Sequence, residues 1–145
     1  MSNALILGAL HASSTHLPFF DAHIPAGFPS PALDHMEHKL SLDELLDIDE
    51  PHTYLVRVTG DSMTGVGIFE DDILIVSKAL PVQHGDIVVA ELNGETFVKR
   101  LSRQGQQYVL CSENAKYPPR YVLEGDELLI WGVVTDSLRR HRNHA

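Results

Sequence analysis

The sequence predicts a compact, mostly antiparallel β domain preceded by an extended N-terminal arm. Three observations lead there. Six short segments rich in β-branched and apolar residues follow His52, turn signals separate them, and a proline-rich stretch lies upstream. The split falls near residue 51, giving an arm over 1–51 and a β-rich domain over 52–145.

The arm is the less regular part. Pro18, Pro25, Pro29 and Pro31 place four prolines in 14 residues, which forbids a helix and favours extended backbone. A protease binds its substrate extended, so the arm has a substrate-like conformation; an ordinary N-terminal tail has the same composition. Beyond Pro31, Ala32–Lys39 reads as one short helix. Ser41-Leu42-Asp43-Glu44 reads as a capping box opening a second, with Leu42, Leu45 and Leu46 at helical spacing.

The β domain is justified segment by segment. Thr53–Val58, Ile73–Ser77, Ile87–Leu92, Thr96–Leu101, Gln107–Cys111 and Glu127–Val134 carry the strand composition. Gly85-Asp86 marks a turn, and Asn93-Gly94 marks a hairpin because both residues accept the positive φ of a type I′ turn.

Composition bounds the function. With 145 residues, 43% hydrophobic and 21% charged, the chain is long enough to bury a core and is not a disordered polymer. A formal charge of −9 argues against gripping nucleic acid, which needs a positive field. The single cysteine, Cys111, makes neither an internal disulfide nor a multi-cysteine zinc site. The nine histidines complete no carboxylate–histidine metal pattern. No cofactor or metal is expected. The start lacks the basic region of a secretory signal, and no segment approaches the ~20 apolar residues that span a bilayer, so a cytoplasmic protein without membrane contact is expected.

Two places carry candidate chemistry. In Gly60-Asp61-Ser62-Met63 a serine follows a strand end beside glycines. There it either shapes a turn or projects its hydroxyl into a cleft, with adjacent amides free to hold an oxyanion. Lys99 shares a strand face with Phe97 and Leu101. It either lays its stem on apolar surface with its head in water, or is desolvated enough to act as a neutral base. Cys111 reads as a core or edge thiol, and the basic stretch Arg139–Arg142 as a solvated terminus.

Together, Ala26-Gly27-Phe28-Pro29-Ser30-Pro31-Ala32, Gly60-Asp61-Ser62-Met63 and Phe97-Val98-Lys99 resemble the LexA/UmuD family of self-cleaving Ser-Lys peptidases. They are most similar to its UmuD-type members, accessory subunits of error-prone translesion polymerases. Gly67-Ile68, Asp72–Val76, His84–Val88 and Gly132-Val133-Val134 match as well, so the resemblance runs from about Pro18 to Val134. The three motifs occur in order, with 62 − 27 = 35 and 99 − 62 = 37 residues between Gly27, Ser62 and Lys99.

The resemblance implies a LexA/signal-peptidase-like β domain. In it Ser62 is the nucleophile, Lys99 the general base, the Asp61 and Ser62 amides the oxyanion hole, and Ala26–Gly27 the bond cut. It further implies a homodimer, stimulation by a RecA–single-stranded-DNA filament in the SOS response, and a UmuC-like polymerase subunit as partner of the 27–145 form. Two departures stand out: the best-known member has Cys-Gly where this chain has Ala-Gly, and residues 1–16 match no family pattern. A LexA-type repressor requires a DNA-reading helical domain before the cleavage site, where this chain has 26 proline-containing residues. Signal peptidase requires a membrane anchor. A β module that binds a polymerase without cutting shares the fold and stays open as an alternative.

Overall fold

A computed structural model describes residues 3–9, 16–19, 38–48 and 51–142. Strands β1 (Ala4–Ala9), β4 (Thr53–Val58), β5 (Ile73–Ser77), β6 (Ile87–Leu92), β7 (Glu95–Gln104), β8 (Gln107–Cys111), β9 (Arg120–Tyr121) and β10 (Leu128–Leu138) form one antiparallel sheet. Its order is β1-β4-β5-β10-β6-β7-β8-β9. A separate pair joins β2 (His16–Phe19) to β3 (His38–Ser41). The mostly-β architecture is therefore the one the sequence predicts, and the six expected strands are present.

The details follow from local chemistry. Asn93 and Gly94 take φ of 51° and 86°, and the hairpin they close runs in register from Leu92↔Glu95 to Ile87↔Arg100. β10 is long because it changes partner. It pairs with β6 through Val133, then with β5, and its register slips between Ile130 and Gly132 where the strand crosses over. At Gly132 the crossing is so close that a Cβ would lie 2.7 Å from the Ser77 carbonyl oxygen and 2.8 Å from Val76 Cγ1.

The region before β4 corrects one expectation. His38 and Lys39, read as the end of a helix, lie in β3, where pairing with β2 satisfies their backbone through interstrand bonds. The rest of that expected helix falls outside the described residues. The N-cap half of the capping box forms: Glu44 N donates to Ser41 Oγ at 3.1 Å and Ser41 Oγ donates to Glu44 Oε1 at 3.2 Å, opening α1 (Leu42–Leu45). The helix is a single turn, and Leu42 and Leu45 stay exposed rather than joining a core.

The curled sheet buries apolar residues on both faces of β6. Val89 joins Tyr54, Val56, Val58, Leu74, Val76 and Val98 in one cluster, into which Met63 and Ile68 insert. Val88, Ala90 and Leu92 join Leu101 and Leu110 in another. A strand covered on both faces reads as a continuous apolar run, and β6 begins Ile-Val-Val-Ala. Asp72, 1% exposed, is tied to the end of β10: Arg139 donates to it from Nε at 2.9 Å and from its terminal nitrogen at 2.8 Å, and Phe69 N donates at 2.9 Å.

Two outcomes are expected. Gly132→Ala forces Cβ into the Ser77 backbone and costs about 1–3 kcal/mol, read by denaturant unfolding. The Arg139 guanidinium, aided by the Phe69 amide, holds the Asp72 carboxyl below its usual range. Its folded pKa is thus lower than its unfolded one, so its stabilisation is complete above the unfolded value and disappears as pH falls through the folded value. Thermal melts between neutral and strongly acid pH should show that loss, and Asp72→Asn should flatten it.

Candidate active site

The Ser62 turn is built by backbone geometry. β4 ends at Val58, and Gly60, at φ 77°, reverses the chain. Asp61-Ser62-Met63 then leads into a single 3-10 turn, Thr64–Val66. Met63 is 1% exposed and packs into the first core cluster, which fixes the turn from below and leaves Ser62 at the sheet margin. Val66 N and Gly67 N are taken up by the Met63 and Thr64 carbonyls. Among the described residues the Ser62 amide meets no hydrogen-bond acceptor, and the Asp61 amide meets only the Asp61 carboxylate.

A strap following β8 holds this turn. Glu113 N donates to the Ser62 carbonyl at 2.8 Å, Gly65 N donates to the Glu113 carbonyl at 2.7 Å, and Asn114 Nδ2 donates to the Asp61 carbonyl at 2.9 Å. The Asp61 carboxylate takes Lys116 Nζ at 2.7 Å and the Tyr117 hydroxyl. Those hydrogen bonds, Lys116's first, hold the Asp61 carboxyl below its usual range and raise Lys116 and Tyr117. Arg100 pairs with the Glu113 carboxylate and steadies the strap from β7.

Lys99 stands on β7 directly before the residues that pair with β8. Because Arg100 opposes Cys111, Lys99 is set against Ser112, and its Nζ donates to Ser112 Oγ at 2.9 Å. The Phe97 and Tyr117 rings lie 5.9 and 5.8 Å from the same nitrogen. The side chain is half-buried, and loss of hydration lowers its pKa. Beside it is a cavity of about 380 Å³ with Leu92, Phe97 and Leu110 as apolar walls and Arg120 at its edge.

Ser62 and Lys99 are joined to common elements. The strap binds both, through Glu113 N to Ser62 and Ser112 Oγ to Lys99. Asn3 supplies a second link: its Nδ2 donates to Ser62 Oγ at 2.9 Å and to the Val98 carbonyl at 3.1 Å. No direct Ser62–Lys99 hydrogen bond occurs among the described residues; each side chain is engaged by another partner. Ala26 and Gly27 lie outside the described residues. Asn3 and Ser112 are contacts the sequence reading missed. Ser112 was findable by running the β7–β8 register one residue past Cys111, whereas nothing near Asn3 in sequence signals its position.

Gly65 is sealed against the strap, since a Cβ there would land on the Glu113 carbonyl oxygen. Gly65→Ala should therefore displace the strap, costing about 1–3 kcal/mol in unfolding experiments, with its largest chemical-shift changes at residues 61–65 and 112–117.

Comparison with known proteins supplies the family. The family model described as Peptidase S24-like matches residues 18–135. Protein SamA of Salmonella typhimurium is 40% identical over 126 residues, covering 87% of each chain. Protein MucA of Escherichia coli is 40% identical over 132 residues, covering 90% of each. The LexA repressor of Bordetella avium is 37% identical over 121 residues, 83% of this chain but 56% of the repressor. On the extent of these matches, the chain belongs to the peptidase S24-like family, that of LexA and UmuD.

Proposed function

We propose that this protein is a self-cleaving serine peptidase that cuts its own Ala26–Gly27 bond. Ser62 is the nucleophile, Lys99 the base, and the Asp61 and Ser62 amides receive the oxyanion. The observation that carries this reading is the Lys99 amine: burial disfavours its ammonium form, and the strap that takes its hydrogen bond also takes the Ser62 carbonyl.

The chemistry balances with these groups alone. Neutral Lys99 Nζ accepts the Ser62 hydroxyl proton as Oγ attacks the Ala26 carbonyl carbon, and the carbonyl oxygen takes up the negative charge. Collapse breaks the Ala26–Gly27 bond, the Lys99 ammonium returns the proton to the leaving Gly27 nitrogen, and Ala26 remains as an ester on Ser62. Water, deprotonated by the same amine, then hydrolyses the ester. A glycine after the bond admits the nucleophile closely. The cavity beside Lys99, apolar on its Leu92, Phe97 and Leu110 side, offers space for a side chain of an extended arm.

In the wider setting, the UmuD-like relatives support a role in the SOS response. A RecA–single-stranded-DNA filament stimulates the cut in the cytoplasm, and the 27–145 form, as a homodimer, serves a UmuC-like translesion polymerase subunit. A second reading has its own support. Ser62 is 6% exposed and its hydroxyl is held by Asn3 rather than Lys99, as befits a polymerase-binding module that does not cut.

Incubating the purified chain across neutral to alkaline pH separates the two. Self-cleavage should rise with pH through the lowered Lys99 pKa, because only the unprotonated amine is a base, and mass spectrometry should find fragments ending at Ala26 and starting at Gly27. Intact protein at high pH and with RecA, single-stranded DNA and ATP would sink the peptidase reading. Ser62→Ala and Lys99→Ala should each abolish the cut in a folded protein. Ser112→Ala should instead move the midpoint of the pH–rate curve to lower pH, since the ammonium loses a hydrogen-bond acceptor that favours it.

A further inference from the structure

The first nine residues hold a contact unrelated to the strand pattern around them. β7 pairs with β6 from Glu95 to Arg100, but with β8 only from Arg100 onward. The backbone edge of Thr96–Val98 away from β6 is therefore not covered by β8. Asn3 occupies it. Its main-chain N–H donates to the Thr96 carbonyl at 3.2 Å. Its side-chain Oδ1 accepts from Val98 N at 2.6 Å while Nδ2 donates to the Val98 carbonyl at 3.1 Å. On the other side, Thr59 N donates to the Asn3 carbonyl at 3.0 Å, so the residue bridges the end of β4 and the open edge of β7.

A primary carboxamide presents the donor and acceptor of a peptide group. Against Val98, Asn3 thus makes the reciprocal pair of bonds that a strand laid along this edge would make. The same Nδ2 donates to Ser62 Oγ, and both residues are buried, Asn3 to 7% exposure and Ser62 to 6%. An extended segment delivering a carbonyl to Ser62 needs the same nitrogen-and-oxygen edge and the same face of the hydroxyl.

We infer that Asn3 is a built-in plug, a side-chain mimic of a substrate peptide group that seals the open β7 edge and the Ser62 hydroxyl until the N-terminal strand withdraws. The inference rests on the peptidase reading for its consequence but not for its geometry. Its hold on the rest of the sheet is light: among the described residues β1 pairs with β4, with a register slip between Ile6 and Gly8, Ala4 packs against the first core cluster, and Leu5, Ile6 and Leu7 are exposed.

The test uses the full chain with Asn3→Ala and, separately, Asn3→Asp. The aspartate keeps the shape and the acceptor from Val98 N, but removes both Nδ2 donations and sets a carboxylate against the Val98 carbonyl. Accessibility of residue 62 is read in a Ser62→Cys, Cys111→Ser background by the rate of alkylation with iodoacetamide. Self-cleavage is read in the parent background at alkaline pH. Asn3→Ala loses three neutral hydrogen bonds and Asn3→Asp two, so both substitutions should raise alkylation and self-cleavage by about tenfold or more. Faster alkylation without any cutting keeps the plug and overturns the peptidase reading. Unchanged or slower alkylation in both variants, with native-like circular dichroism, overturns the plug whatever the cutting rate. Should Asn3→Ala fail to fold, the isosteric Asn3→Asp decides alone.

Discussion

The structure turns on where β7 stops being an interior strand. Along most of the sheet each backbone edge is satisfied by a neighbour, but β8 joins β7 only at Arg100. That offset leaves Thr96–Val98 with peptide groups directed away from β6, and unpaired buried peptide groups are costly enough that something must cover them. It also fixes Lys99 as the last residue before pairing begins, set beside Ser112 and two aromatic rings rather than in open water. The edge, the lysine and the strap are consequences of a single register.

Two opposing electrostatic demands meet at Lys99. The chain is strongly acidic, and a field of that sign favours an ammonium. The rings of Phe97 and Tyr117 and the Ser112 hydroxyl favour it too. Burial works the other way and dominates, lowering the pKa. No carboxylate pairs with Lys99 among the described residues; Asp61, the acidic group of the Ser62 turn, is committed to Lys116 and Tyr117 instead. The Asp61–Lys116 pair is exposed and worth little as stability. Its local effect is to keep a carboxylate hydrogen-bonded away from the amine while Asn114 and Glu113 fix the carbonyls of Asp61 and Ser62.

Much of this was legible from the residues. Runs of β-branched and apolar residues marked the strands because packing on both faces of the sheet selects them. Asn93-Gly94 found the hairpin because few other dipeptides take two positive φ values. Phe97 and Leu101 flagged the half-buried lysine, since strand alternation alone places them on its face. What stayed hidden depends on non-local pairing. β1 is Ala-Leu-Ile-Leu-Gly-Ala, an apolar run with no alternation, and it enters the sheet only because β4 offers it an edge. His38 and Lys39 look helical in isolation and become a strand because β2 is there to pair with them. Asn3 acts through contacts 59 and 95 residues away, which no local rule reaches.

The plug and the proposed cut site belong to one arm, and that constrains how they exchange. Gly27 is 53 − 27 = 26 residues before Thr53, where β4 begins, a tether of at most ~94 Å when extended. Reach therefore does not prevent Ala26–Gly27 from arriving at the edge Asn3 has left. Under the proposed cut, an extended segment at this edge would need the same two hydrogen-bonding positions of Val98 that Asn3 holds, so the two would exclude each other. The exchange within one chain is intramolecular, and its balance is set by differential contacts rather than by concentration. Anything that strips β1 from β4 shifts that balance towards the substrate-like stretch without touching Ser62 or Lys99. Once the Ala26–Gly27 bond is broken, β1 is no longer tethered to the domain, its effective concentration at the β7 edge falls, and re-plugging becomes a bimolecular event. The proposed cut would thus stabilise the unplugged form that permits it.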